Sequence, residues 1–201
     1  MRAAALKTET LCPGMRVGLF GGSFDPPHAG HLHVARTALR RLGLHRVWWL
    51  PSPQNPLKPH APGELAERMA AIGALAAEPR MVVSDLEARL GTNRTIDVVR
   101  HLQRRHPGVH FVWIMGADAL AHFHRWKGWV EIAARVPLCV VSRPEDSLSA
   151  RLSPAARRLG SARLAETAAR RLPMQEPPCW TYLVEPLHPH ASSALRHETA
   201  D

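Results

Sequence analysis

Cysteine is scarce: the chain has three in 201 residues, at positions 12, 139 and 179, and no CxxC pair. That excludes a disulfide framework and a thiolate zinc site, and it fits a reducing cytoplasm. Long apolar runs are missing too. None reaches the ~18 residues a membrane span needs. The opening MRAAALKTETLCPG lacks the apolar h-region of a secretory leader. These absences predict a cytoplasmic protein with no membrane partner. Tyrosine occurs once and aromatic residues make up 5%, yet hydrophobic residues reach 45%, which excludes a fully disordered chain. At ~150 residues per domain the length suggests one domain, large enough to bury a core.

Acidic residues are short relative to basic ones, 17 against 26, for a net charge of +9. Such a surplus reflects either an Arg- and Ala-rich composition or an anionic partner. Nucleic-acid binders usually gather their charge on one stripe. Here the arginines are spread, with one dense stretch from Arg151 to Arg171. The compositional reading is preferred, with anionic small substrates contributing, and a nucleic-acid partner is disfavoured.

Strand and helix signals alternate along the chain. MRVGLF (15–20), HRVWWL (45–50), MVVSDLE (81–87), HFVWIM (110–115), PLCVVS (137–142) and CWTYLVE (179–185) read as six strands. Helical spacing is predicted over 28–42, 64–77 and from Thr92 or Thr95 to about Arg105, in two short helices flanking Trp126, over 145–175 as one helix, and from Ser192. The Pro-rich stretch 51–63 must be loop. Continuous apolar strands alternating with helices predict an α/β fold with a doubly wound parallel sheet and its site at the strand C-terminal ends. Residues 1–14 read as a loose tail and 15–201 as a single domain.

In such a fold the first strand–turn–helix junction is the place for a phosphate site. It reads GLFGGSFDPPHAGH, which is neither GxGxxG nor GxxxxGK[ST], so the dinucleotide fingerprint and the P-loop are both excluded. His28 and His31 are three apart and share a face in the first helical turn. Their ring N–H groups, the backbone amides and the helix dipole can converge on one anion. Gly30, Gly21 and Gly22 let a phosphate approach the backbone. A chance pair of surface histidines is the plainer alternative. Zinc on His28, His31 and His33 is set aside, because His33 leaves the shared face and no cysteine completes four ligands.

GGSFDPPHAGH resembles the signature of the nucleotidylyltransferase superfamily, whose (H/T)xGH motif holds the triphosphate of a nucleotide. NPLK (55–58), TIDVVRHL (95–102), FVWIMGADALAHFHRWKGWVEIA (111–133) and SSALR (192–196) are similar, in the same order, to segments of bacterial nicotinate-nucleotide adenylyltransferases. The resemblance covers roughly residues 15–197. It implies a Rossmann-like fold of nucleotidylyltransferase type. It implies adenylyl transfer from ATP to nicotinate mononucleotide in NAD biosynthesis, giving deamido-NAD and pyrophosphate. Mg²⁺ would arrive on the ATP phosphates, with no protein metal ligand assigned. The acceptor phosphate is already anionic, so no general base is needed and catalysis reduces to positioning and charge stabilisation.

The resemblance assigns His28, His31, Lys58 and Arg196 to catalysis. It assigns Gly21, Gly22, Ser23, Phe24, Gly30, Gly116, Asp118, Ser192 and Ser193 to ATP and its phosphates. Asp25, Thr95 and Trp126 go to the mononucleotide. Each has a plainer alternative. Gly21–Ser23 make a tight turn; Asp25 orients the loop or reaches a bound metal, with a structural Asx-turn as its plainer alternative. Lys58 is a solvated lysine; Thr95 and Asp118 are helix caps. Ser192 caps the last helix and Arg196 lies on its surface. Trp126 and Trp129 are three apart; Trp126 would stack on the nicotinate ring, and Trp129 is left as core. Free amides at Thr95 would favour the acid over the amide, whose NH₂ would face donors. Ala191, Ser193, Ala119 and Arg94 depart from the usual family residues. The alternatives are another acceptor, nicotinamide mononucleotide or phosphopantetheine, or a basic nucleic-acid-binding protein. The oligomeric state is not legible.

Overall fold

Strand β1 (Arg16–Gly22) runs through the centre of a parallel sheet because four consecutive residues, Val17 to Phe20, are buried on both faces. In the computed structural model, which describes residues 10–53, 62–142 and 147–184, seven strands pair in the order β3-β2-β1-β4-β5-β7-β6. They are β2 (Arg46–Pro51), β3 (Met81–Val83), β4 (His110–Gly116), β5 (Leu138–Ser142), β6 (Arg163–Leu164) and β7 (Trp180–Val184). Every pairing is parallel. Leu19 of β1 lies between Trp48 of β2 and Trp113 of β4, which sets the register at the centre.

The helices are α1 (Ala29–Arg41), α2 (Leu65–Leu75), α3 (Leu86–Arg89), α4 (Thr95–Arg105), α5 (Ala117–His122), α6 (Trp129–Arg135), α7 (Ser147–Arg151) and α8 (Pro154–Arg158). Two hydrophobic cores result, one on each face. One joins Val34, Ala35, Ala38 and Leu39 of α1 to Phe20, Trp49 and Ile114. The other joins Ile96, Val99 and Leu102 of α4 to Leu19, Trp113 and Phe123. The doubly wound parallel sheet expected from the sequence is therefore the fold. The chain builds outward from β1 to β3 and returns on the other side of β1 as β4. That reversal opens a crevice beyond the carboxyl ends of β1 and β4.

Several boundaries differ from expectation. The third strand stops at Val83; Ser84 N–H still donates to Trp49 O, and the chain then turns into α3. The single helix expected over 145–175 is instead α7, α8, a 3₁₀ turn at Gly160–Ala162, the two-residue edge strand β6 and a 3₁₀ segment at Glu166–Met174. Pro154 forces a fresh start at α8, capped by the Ser153 hydroxyl, and Pro173 sits in the last segment. Residues 10–14, expected at the end of a loose tail, are docked. Leu11 is buried, and Gly14 N–H donates to Gly108 O. Among the described residues no helix is long and apolar enough to cross a membrane.

Candidate active site at the β1/β4 crevice

Beyond Gly22 the chain makes a tight turn and enters α1. His28 is the N-cap, in extended backbone conformation. Its Nδ1 accepts from Gly30 N–H at 3.1 Å, and His31 Nδ1 accepts from His28 N–H at 3.2 Å. The two histidines form a reciprocal capping box, a role more often taken by Ser/Thr and Glu. Their ring centroids are 3.8 Å apart. Because both Nδ1 atoms accept, each neutral ring carries its proton on Nε2. The pair so arranged presents N–H donors on one side of the helix start. The shared face predicted from the spacing is present. Gly30 differs from expectation in one respect: its amide is taken up by His28.

The turn before the helix is packed rather than open. A Cβ on Gly21 would lie 2.6 Å from the Trp113 indole, and one on Gly22 would lie 3.0 Å from the Phe24 ring. Both glycines therefore have a packing reason alongside the phosphate reading. Phe24 takes φ +47, a left-handed conformation that costs a non-glycine residue about 1–3 kcal/mol. Its ring is buried edge-on against Phe20 and His31, each at a centroid distance of 5.1 Å. That packing holds the strained residue and fixes the His31 ring.

Two residues that sequence reasoning did not single out, Arg68 and Glu87, support this turn. Arg68 of α2 is 4% exposed. Its guanidinium donates to Ser23 O at 2.6 Å, to Ser52 O at 3.0 Å and to Gly63 O at 2.9 Å. Burial lowers its pKa, and the Asp25 carboxylate opposes that shift. Asp25 Oδ2 accepts from Gly63 N–H at 3.2 Å. Asp25 thus faces the start of α2. On the far side of Ser52 lies Glu87, also buried. Burial raises its carboxyl to about 7, against a hydrogen bond to Ser52 that favours the ionised form. One signal for Arg68 was available in LAERMAAIGAL: a charge on the stripe shared with Ile72, which is fully buried. Nothing local marks Glu87, whose burial depends on Ser52 and β2.

Across the crevice, Gly116 ends β4 and caps α5, and Asp118 lies in the first turn. A Cβ at Gly116 would lie 2.4 Å from Asp118 Oδ1, so the carboxylate folds over the glycine. Asp118 is not the helix cap. Neither is Thr95, which is the first residue of α4; the cap is Arg94, and no side chain caps that helix. The first-turn amides of α4 are therefore not used by a capping side chain. Trp126 follows a 3₁₀ turn at Phe123–Arg125 and stands edge-on to Trp113 at 6.1 Å and to Phe123 at 5.3 Å. Gly128, at φ +75, packs against Ile96, where a Cβ would lie 3.4 Å from that side chain. The Trp126–Gly128 loop is thereby brought to the first turn of α4. Trp129, expected as core, is half-buried against Phe123 at 5.9 Å. Lys58, Ser192, Ser193 and Arg196 lie outside the described residues.

Comparison with known proteins follows the same outline. The cytidylyltransferase-like family model matches residues 19–196. A Caulobacter sp. (strain K31) protein named as a nicotinate-nucleotide adenylyltransferase is 57% identical over 90% of this chain and 97% of its own length. A relative of the same name from Cereibacter sphaeroides (strain ATCC 17023) is 53% identical over 90% of this chain and 96% of its own. Among solved structures, the Plasmodium falciparum nicotinic acid mononucleotide adenylyltransferase complexed with NaAD superposes with a TM-score of 0.66. Identity is 16%, covering 93% of this chain and 85% of that one, a likeness of fold alone.

Proposed function

The chain belongs to the nicotinate-nucleotide adenylyltransferases, within the cytidylyltransferase-like family, and we propose that the β1/β4 crevice is where it joins its two substrates. The reaction transfers the adenylyl group of ATP to nicotinate mononucleotide, releasing pyrophosphate, and belongs to NAD biosynthesis. The mononucleotide phosphate oxygen attacks the α-phosphorus of ATP; the bond to the β-phosphate oxygen breaks and pyrophosphate leaves with that electron pair. The nucleophile is already ionised, so the protein has to position two anions and offset their repulsion.

The observation that carries this assignment is the reciprocal cap of His28 and His31, which fixes both rings with Nδ1 inward. Their Nε2–H groups would donate to the triphosphate, as would amides of the Gly21–Phe24 turn. Asp118, folded over Gly116, suits the ribose hydroxyls of ATP. The amides opening α4 at Thr95 would hold the nicotinate carboxylate, and Trp126, held beside them by Gly128, would face the pyridine ring. Lys58, Ser192, Ser193 and Arg196 join as phosphate ligands on the strength of the sequence resemblance.

Nucleotidyltransferases of this family use ATP with a divalent metal, and we take the ion to be Mg²⁺. Mg²⁺ binds through one or two carboxylates plus substrate phosphates. Exposed Asp118 supplies such a hard oxygen donor at the crevice, which fits an ion delivered on ATP. When bound it neutralises phosphate charge. We place the reaction in the cytoplasm, where the three cysteines stay reduced.

The test is pyrophosphate release from ATP and Mg²⁺ with nicotinate mononucleotide, run beside nicotinamide mononucleotide and phosphopantetheine. Release favouring the acid is expected. Release favouring another acceptor would overturn the roles of Thr95 and Trp126, and none at all would overturn the assignment of the crevice.

A further inference from the structure

Arg68 buries its charge to hold three backbone carbonyls from three separate segments: the turn after β1, the end of β2 and the start of α2. Filling the space would need no charge. Anchoring α2 needs no charge either, since Ile72 of the same helix is fully buried in the core. What the guanidinium adds is direction. It draws the Ser23 carbonyl toward α2. In a trans peptide the C=O and the following N–H point opposite ways. The Phe24 N–H is thereby turned away from the Arg68 guanidinium. Phe24 is the residue of the turn with a left-handed φ of +47. Among the described residues its N–H donates to no acceptor.

We infer that Arg68 is a positioning residue for adenylyl transfer: by holding the Ser23 carbonyl it aims the Phe24 amide at the ATP phosphates. The inference rests on the assignment of the Gly21–Phe24 turn to phosphate. Lysine cannot replace arginine in this role, because one ammonium lacks the planar fork that reaches acceptors in three directions. Asp25 completes the arrangement by accepting from Gly63 N–H while its charge opposes the burial-driven shift of Arg68.

The experiment compares wild type, Arg68→Lys and Arg68→Ala by calorimetric titration with inorganic triphosphate, by KM for each substrate and by thermal unfolding. Losing one aimed hydrogen bond to a charged group is expected to weaken triphosphate binding and raise KM for ATP about tenfold or more in Arg68→Lys. KM for the mononucleotide should stay within about twofold, since that is less than half a kcal/mol at RT ln 2. In Arg68→Ala, added methylguanidinium should restore part of the triphosphate affinity. Unchanged triphosphate affinity in folded Arg68→Lys would overturn the inference. So would equal rises in both KM values that track a falling unfolding midpoint, the mark of a purely structural arginine. Wild type that binds triphosphate, with Arg68→Lys weakened, but transfers no adenylyl group supports Arg68 and removes the reaction. Wild type that binds no triphosphate removes the Arg68 role.

Discussion

Glu87 carries a carboxyl raised to about 7 from an ordinary value of 4.5, chiefly because burial disfavours its charge. The folded state then holds a proton over a range in which the unfolded chain has released it. Stability contributed this way is present below pH 4.5 and is lost as the pH rises toward 7. At 1.36 kcal/mol per unit, the loss over that interval is on the order of 3 kcal/mol. Glu87→Gln keeps the shape and a donor for Ser52 to meet, and removes the titration. Urea unfolding at several pH values should show a downward slope between pH 5 and 7 in wild type that is absent from the variant. Parallel profiles would mean that Glu87 is ionised at its ordinary pH. His31 separates two roles of one side chain in a similar way. His31→Ala removes the acceptor for His28 N–H and should cost about 0.5–2 kcal/mol as a lost cap. His31→Asn can keep that acceptor but not the outward Nε2–H. Turnover should fall by orders of magnitude in both variants, with stability recovered only in His31→Asn. Activity retained in His31→Asn would mean that the ring serves the cap alone.

Elements differ in how plainly they were written in the sequence, and the reason is physical. Strands β1, β2, β4 and β5 are buried on both faces, so their apolar runs announce them. The shared face of His28 and His31 was legible because three-residue spacing at a helix start depends on local geometry alone; their reciprocal cap was not. Segments 145–175 and 84–89 were not, because their short turns are set by prolines and by packing on a sheet already built. Arg68 was missed because its place on the Ile72 stripe does not show which carbonyls would face it. Gly21 shows how far a local reading reaches. The sequence offered phosphate access as its reason; the structure adds the Trp113 indole, against which a Cβ would lie 2.6 Å away. Gly21→Ala should therefore cost about 1–3 kcal/mol by overpacking. In a Trp113→Phe background, which lacks the far edge of the indole, the same substitution should cost distinctly less. A double-mutant cycle in denaturant measures that coupling. Equal cost in both backgrounds would leave phosphate access as the reason for the glycine.

At the scale of the whole molecule, the sheet order and the charge act on the same crevice. Reversal between β1 and β4 places the His28–His31 cap and the Gly116–Asp118 turn on opposite lips of one opening. The chain as a whole carries a net charge of +9. Such a field draws anionic substrates of either kind, and it falls off over a Debye length of ~10 Å at ~0.1 M salt. Two uses of the charge can be told apart by salt. If it serves the reaction, raising the salt from ~50 to ~300 mM should raise KM for ATP more than KM for the less charged mononucleotide, with kcat little changed, because steering acts on encounter and the positioned donors act on the transition state. If the surplus instead serves a nucleic acid, duplex DNA or RNA should bind with a log–log salt slope of several units and should inhibit pyrophosphate release at low salt. The scattered arginines favour the first outcome, since a polyanion needs a continuous stripe and a triphosphate needs only one lip of the crevice. Inhibition by DNA that disappears steeply with salt while KM for ATP stays flat would reverse that assignment and give the basic surface a partner of its own.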